Sequence, residues 1–196
     1  MKYAIVVVDM LNDFVTGKLT CERALRTIKP NQKLITFARK RNIPIIYAND
    51  AHIKGLDKEL ELWGDHAIAG TEGAQVIDEL KPNNNDYIIP KRRYSGFFQT
   101  DLHLLLTELK VDTLIITGLH THMCVRHTTA DAYNWGYKII IPKDATDSFT
   151  KEDYEYGLNY LKTCYGAEIT MVDEIIKKVL RHCLFYNITL STTLTL

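Results

Sequence analysis

The sequence predicts an α/β domain in which helices alternate with the strands of a parallel sheet. Short runs of β-branched and aliphatic residues recur along the chain, and between them lie stretches with an apolar residue every three or four positions. Such alternation is typical of βαβ units, whose helices cover both faces of the sheet. With 196 residues, 46% of them hydrophobic, the chain is long enough for one sizeable core.

Composition excludes several classes of function. Lys and Arg together number 24, as do Asp and Glu, so no net field attracts nucleic acid or an anionic membrane. No apolar run reaches the roughly 20 residues of a membrane span. The four cysteines show no CxxC pairing, which argues against a disulfide framework and against a thiolate zinc site. We therefore expect a cytoplasmic protein with free thiols and with neither nucleic acid nor a membrane as its partner.

The elements can be placed from the pattern of apolar residues. We expect strands at residues 3–8, 43–48, 86–90, 111–117, 137–141 and 168–172. Helices are expected at residues 22–42, 101–109, 126–135, 151–165 and 173–180, and Pro30 suggests that the first of them begins only there. The domain would span residues 1–181. Residues 182–196, rich in Thr and Leu, could be an edge strand, an arm swapped between subunits or a disordered end.

A candidate nucleophile, Cys124, follows the fourth strand. It lies beyond a turn and at the predicted start of a helix. Partial positive charge and free N–H groups at a helix N-terminus favour a thiolate and can also hold an oxyanion. The alternative is a small buried hydrophobic residue, as most free cysteines are. This segment alone favours the alternative.

Two more chemically useful side chains come at predicted strand ends. Asp9 follows the first strand and Lys91 follows the third. Open α/β sheets bind ligands at the carboxyl ends of their strands, so these side chains could meet Cys124 there. A lysine beside a carboxylate and a thiol would favour both anions. The alternatives are a turn residue and a surface lysine.

A metal site is suggested after the second strand. Asp50 and His52 are two residues apart, so in an extended segment they point to the same side. His66 lies in a segment whose glycines permit a loop that folds back over the first two. A carboxylate and imidazoles suit a divalent transition metal. The Asp-x-His motif is weak by itself, and surface positions are the alternative; we expect residues 54–62 to form a charged, mobile connection.

Together these residues resemble a known family. Asp9 in VVVDMLNDF, Lys91 in PKRRYSGFF and Cys124 in GLHTHMCV are similar to the Asp-Lys-Cys triad of the isochorismatase-like cysteine hydrolases. That superfamily includes nicotinamidases, N-carbamoylsarcosine amidases and isochorismatases, and the likeness covers residues 2–178. It implies a three-layer α/β/α fold with a six-stranded, mostly parallel sheet, a cis peptide before His120, and a homo-oligomer, either a dimer or a tetramer.

The metal segment resembles that of the nicotinamidases. The resemblance implies that Asp50, His52 and His66 bind one divalent ion, zinc or alternatively iron or manganese, and that no nucleotide cofactor is needed. It predicts hydrolysis of nicotinamide to nicotinate in pyridine nucleotide salvage, and of pyrazinamide. Two segments depart from the pattern: residues 120–122 read His-Thr-His, and residues 91–97 read KRRYSGF. A metal-free amidase for a ureido acid such as N-carbamoylsarcosine, and a catalytically silent small-molecule-binding member, therefore remain alternatives.

The chemistry of amide hydrolysis suggests a role for each of these site residues. Cys124 would attack the carboxamide carbon, and Asp9 would take the thiol proton and pass it to the leaving ammonia, which requires a pKa raised by burial. Lys91 would hold the thiolate by charge. The backbone N–H groups of His120 and Cys124 would bind the oxyanion, and water would hydrolyse the thioester. We expect the substrate pocket to include Phe14, Trp63, Leu119, His120 and His122.

Overall fold

The computed structural model describes residues 1–181, and these form three layers with helices on both faces of a parallel sheet. The predictions for the tail at residues 182–196 lie outside the described residues. The strands are β1 (Tyr3–Val8), β2 (Ile45–Asp50), β3 (Tyr87–Lys91), β4 (Thr113–Leu119), β5 (Lys138–Pro142), β6 (Thr146–Asp147) and β7 (Glu168–Thr170). The α/β class and the predominantly parallel sheet are confirmed.

Seven strands, rather than the expected six, make up the sheet. Six follow the order β3-β2-β1-β4-β5-β7, and β6 pairs with the end of β4. The sequence did not predict β6, because two residues are too few to show a period. The strand exists because Thr146 and Asp147 pair with Gly118 and Leu119.

The helices are α1 (Asn12–Val15), α2 (Leu25–Lys40), α3 (Glu59–Trp63), α4 (Leu102–Glu108), α5 (Cys124–Asn134), α6 (Lys151–Tyr165) and α7 (residues 172–181). The expectation that the first long helix begins at Pro30 was wrong, since α2 begins at Leu25 and continues through this proline. Proline removes one helical hydrogen bond. On the next residue, the Asn31 side chain donates to the carbonyls of Thr27 (3.0 Å) and Ala145 (2.9 Å).

Two apolar cores lie on opposite faces of the sheet. Alternate residues of β1 point to each side, with Ile5 and Val7 in one core and Val6 and Val8 in the other. Burial on both faces explains why the strand reads as a continuous apolar run. Within residues 1–181, no helix is long and apolar enough to cross a membrane.

The carboxyl ends of the central strands form the edge that matters for function. β1 pairs with β2 on one side and β4 on the other, and β2 pairs with β3. Both β2 and β3 run slightly further than predicted, so Asp50 and Lys91 are their last residues and lie opposite each other in the register. Residues distant in sequence are thereby brought to one place.

Candidate active site

Lys91 lies between two carboxylates at this edge. Its Nζ is 2.7 Å from Asp9 Oδ2 and 2.6 Å from Asp50 Oδ1, and all three side chains are buried. Asp9 also accepts the backbone N–H of Asp50 at 2.7 Å through its other oxygen. Burial opposes the charge on Lys91, but the two carboxylates raise its pKa well above the usual value, so the ammonium stays protonated.

The Asp9 carboxyl has a pKa close to neutral pH. Burial, and next the negative charge of Asp50, raise its pKa to about 6, although Lys91 acts in the opposite direction. A carboxylate with this pKa is ionised at pH 7 and is still a usable proton acceptor. Transfer of the Cys124 proton to Asp9 requires such a raised pKa.

Cys124 is the first residue of α5 and is buried against the same carboxylates. Its Sγ and one oxygen each of Asp9 and Asp50 lie within 4.8 Å of one another. Burial raises the pKa of the Cys124 thiol well above its usual value, and the charge of Lys91 does not overcome this. Burial is the larger effect, so the sulfur carries a proton that Asp9 can take.

The turn before Cys124 presents two free backbone N–H groups. The peptide between Leu119 and His120 is cis, as the resemblance implies. Among residues 1–181, no hydrogen bond uses the N–H of His120 or of Cys124. Both are available to an oxyanion.

β6 holds this turn in place. The Thr121 N–H donates to the Asp147 carbonyl at 2.8 Å, and the Thr146 hydroxyl donates to the Gly118 carbonyl at 2.7 Å. Gly118 has φ +99°, and a Cβ there would lie 1.9 Å from the carbonyl oxygen of Val8. Only glycine fits at this close approach of β4 to β1.

A second cluster adjoins the first and suits a metal ion. Asp50, His52, Glu59 and His66 are buried, and one ligand atom from each lies within 4.8 Å of the others. The Nδ1 of His66 is 2.8 Å from the Gly64 carbonyl, and that of His52 is 3.2 Å from Asp57 Oδ2. Nδ1 is the donor in both contacts, so the neutral imidazole of each histidine has its Nε2 lone pair free for a cation.

The donor set fits a divalent ion. Asp50 Oδ2 and His52 Nε2 are buried and have no hydrogen-bond partner among residues 1–181. His52 Nε2 lies 3.7 Å from Asp50 Oδ1 and 3.9 Å from Glu59 Oε1, too far for direct hydrogen bonds. Buried polar atoms are normally satisfied, and a cation ligated by carboxylates and imidazoles would satisfy these.

Glu59 was not predicted as a site residue. The expectation that residues 54–62 form a mobile connection was also wrong for the middle of that segment. Asp57 and Glu59 are both buried, and Glu59 begins α3. Burial, then the charge of Asp50, raise the pKa of Glu59 to about 7. A five-residue helix is too short to show a period, so the sequence carries no signal that this glutamate points inward.

A narrow cavity of about 20 Å³ lies beside Cys124. Phe14, Trp63 and His120 line it, as expected. Leu119 and His122 do not: Leu119 packs in the core, and His122 Nδ1 lies 3.0 Å from Ser148 Oγ. Sequence reasoning missed five lining side chains, which come from separate loops and helices: Leu19, Glu59, Tyr94, Met123 and Phe149.

Flat rings form much of the cavity wall. His120 stacks on Phe149 with centroids 4.0 Å apart, and Phe149 stacks on Trp63 at 6.2 Å. Phe14 meets His120 edge to face at 5.9 Å. Burial lowers the pKa of His120 to about 3, so its imidazole is neutral. Of the described residues that line the cavity, none is Arg or Lys.

Comparison with known proteins agrees with this geometry. The family model described as "Isochorismatase domain" matches residues 3–174. This chain belongs to the isochorismatase family. It is 39% identical to N-carbamoylsarcosine amidase from Thermoplasma acidophilum, with a TM-score of 0.83 over 88% of this chain and 98% of that one.

Nicotinamidases are similar to a comparable degree. The nicotinamidase PncA from Bacillus subtilis is 35% identical, with a TM-score of 0.83 over 87% of this chain and 99% of that one. A pyrazinamidase of Pyrococcus horikoshii, solved in complex with zinc, is 28% identical, with a TM-score of 0.81 over 87% and 99%. The chain is thus an isochorismatase-family hydrolase whose relatives include small-molecule amidases.

Proposed function

We propose that the protein is a metal-containing cysteine amidohydrolase that releases ammonia from a small aromatic carboxamide, in the manner of a nicotinamidase. The observation that carries the proposal is the placement of four metal-ligand side chains next to a buried thiol–carboxylate pair, beside a cavity walled by aromatic rings. A flat neutral ring matches such walls. Pyrazinamide has the same shape and would also be a substrate.

The first half-reaction forms a thioester. Asp9 takes the proton of the Cys124 thiol as the sulfur attacks the carboxamide carbon, and the N–H groups of His120 and Cys124 bind the oxyanion. The protonated Asp9 then donates to the nitrogen, the C–N bond breaks, and ammonia leaves. Lys91 keeps Asp9 and Asp50 in place and offsets the negative charge on the sulfur.

The second half-reaction restores the enzyme. Asp9, again ionised, accepts a proton from a water molecule whose oxygen attacks the thioester carbonyl. The C–S bond breaks, the carboxylic acid leaves, and the sulfur recovers a proton from Asp9. The same two N–H groups would stabilise this second oxyanion, and removing one such donor costs about 3 kcal/mol in the activation barrier.

Asp50, His52, Glu59 and His66 would hold the metal through the atoms that face one another. When bound, a zinc, iron or manganese ion supplies a Lewis acid that can accept a lone pair from a ring nitrogen of the substrate. The cluster lies beside Asp9 and Cys124, so a ring held there would carry its carboxamide toward the thiol.

A second candidate is hydrolysis of a ureido acid such as N-carbamoylsarcosine without a metal. The likeness to the Thermoplasma enzyme favours it. The cavity argues against it, because the substrate carboxylate would meet the side chains of Asp50 and Glu59 and, among the described lining residues, no Arg or Lys. A catalytically silent protein is disfavoured by the complete set of Asp9, Lys91 and Cys124.

One experiment separates these functions: ammonia release is measured from nicotinamide, pyrazinamide and N-carbamoylsarcosine, with and without a chelator and with zinc restored. We expect nicotinamide to be hydrolysed and the chelator to abolish the activity reversibly. Turnover of N-carbamoylsarcosine that a chelator leaves intact would contradict the proposal in favour of the second candidate. Cys124→Ala should be inactive, whereas Cys164→Ala, which alters an exposed thiol, should be fully active.

The cytoplasmic location and the dimeric or tetrameric state remain predictions. Sedimentation of the purified chain would test the second.

A further inference from the structure

Asp57 occupies a position that the proposed reaction does not use. Its carboxylate is buried against Nδ1 of His52 and does not line the cavity. Oδ2 lies 3.2 Å from His52 Nδ1 and accepts the backbone N–H of Ile53 at 2.8 Å. A buried carboxylate with these neighbours must receive a hydrogen from the imidazole, because it has none to give.

Arg92 holds the same carboxylate from the solvent side. Its Nε donates to Oδ1 at 2.9 Å and to Oδ2 at 3.1 Å, and a terminal N–H also reaches Oδ1. The Arg92 side chain is about half exposed, whereas that of Asp57 is fully buried. The planar guanidinium fixes the plane of the carboxylate, which a lysine could not do in the same way.

Arg92 directly follows Lys91 at the end of β3. Successive residues of an extended chain point to opposite sides, so Lys91 reaches Asp9 and Asp50 while Arg92 reaches Asp57. The end of β3 therefore contacts the catalytic carboxylates through Lys91 and supports His52 through Arg92 and Asp57.

We propose that Asp57 and Arg92 are positioning residues that fix His52 in its Nδ1–H tautomer and thereby set the metal affinity of the site. This inference rests on the proposed function, since it needs a metal at Asp50, His52, Glu59 and His66. Asp57 orients the ring so that Nε2 faces Asp50 and Glu59, and Arg92 holds the plane of the Asp57 carboxylate. Outer hydrogen bonds of this type commonly change metal affinity 10- to 100-fold.

In the variant Asp57→Asn, the side chain would keep its size but could not make the same hydrogen bonds. The carboxylate accepts on both oxygens from His52, Ile53 and Arg92. An amide has only one oxygen, so either Arg92 or the His52 side must face its NH₂ group. The negative charge that supports the imidazole is lost in either orientation.

The test is zinc binding by the metal-free full chain, measured by competition with a chromophoric chelator. We expect Asp57→Asn to weaken zinc binding 10- to 100-fold and Arg92→Gln to weaken it less. The matched control is Asp65→Asn, which removes an exposed carboxylate next to His66 that pairs with Lys54 at 3.0 Å; its affinity should equal that of the wild type. Should Asp57→Asn fail to fold, Arg92→Gln, at a half-exposed position, carries the test.

A spectroscopic reading separates positioning from a general structural effect. Long-range ¹H–¹⁵N spectra of the metal-free protein should show His52 protonated at Nδ1 in the wild type and partly at Nε2 in Asp57→Asn. Unchanged affinity in both the Asp57 and Arg92 variants, with an unchanged tautomer, would overturn the inference while leaving the proposed function intact. A wild type that binds no zinc would overturn the proposed function and the inferred control of affinity together.

Discussion

The pKa of Asp9 makes a quantitative prediction about the pH dependence of catalysis. Only the ionised carboxylate can take the Cys124 proton, and burial raises the Asp9 pKa to about 6. Because the pKa is raised, the active form is lost as pH falls through 6, rather than through the ordinary value of 3.8. At pH 5 only about a tenth of Asp9 would be ionised, whereas an unshifted carboxyl would be about nine-tenths ionised.

We therefore expect kcat/KM for nicotinamide at pH 5 to be about a tenth of its value at pH 8, with a tenfold fall per pH unit below 6. Product would be quantified directly by chromatography, and bound metal would be assayed at each pH so that loss of the ion is not mistaken for protonation of Asp9. A cation on Asp50 would lower the pKa of Asp9, both by offsetting the charge of Asp50 and by its own charge, whereas burial would still raise it. A flat profile between pH 5 and 8, at constant metal content, would refute the assignment of Asp9 as the base. So would an Asp9→Asn variant with more than a tenth of the wild-type activity.

Three further outcomes follow from the same geometry. Cys124→Ser should lose at least about a thousandfold in kcat, because an alcohol held by a weak base is a far poorer nucleophile, and urea titration should show an unaltered midpoint. Lys91→Met leaves two buried carboxylates unpaired and should cost about 3–5 kcal/mol of unfolding free energy, whereas Lys40→Met, at an exposed site, should stay within about 0.5 kcal/mol. Removing the metal should lower the melting temperature and restoring zinc should raise it with ligand concentration; a melting temperature indifferent to both would contradict a metal site.

Much of the fold followed from the sequence because its signals are local. Among residues 1–181, five of the seven strands contain a run of apolar residues, and burial on both faces of the sheet explains the continuous runs of the central ones. The short strands β6 and β7 lack such a run, and the two residues of β6 form a strand only through their pairing with β4. The beginning of α2 was misplaced because the prediction followed the local preference of Pro30, whereas the buried face of the helix includes Thr27 before the proline and Asn31 after it.

The candidate site also has some residues that the sequence predicted and others that it did not. Asp9, Lys91 and Cys124 were recognisable because each is a chemically distinctive residue directly beyond a strand or at a helix start, and parallel strands bring such ends together. Glu59 gave no comparable signal, because its segment has no period and its inward orientation depends on the neighbouring histidines. Leu119 and His122 were wrongly included in the pocket, since adjacency to Cys124 in sequence does not fix the direction of a side chain around a tight turn.

By itself, the sequence determined the layered fold and the chemical groups available at one edge of the sheet, because apolar periodicity and residue type are properties of short segments. Only the tertiary structure decided the protonation states and the composition of the cavity. The pKa values of Asp9 and Cys124 are set mainly by burial, which distant segments create, and the aromatic wall is assembled from residues as far apart as Phe14 and Phe149. These quantities depend on distances through space, which no local pattern encodes.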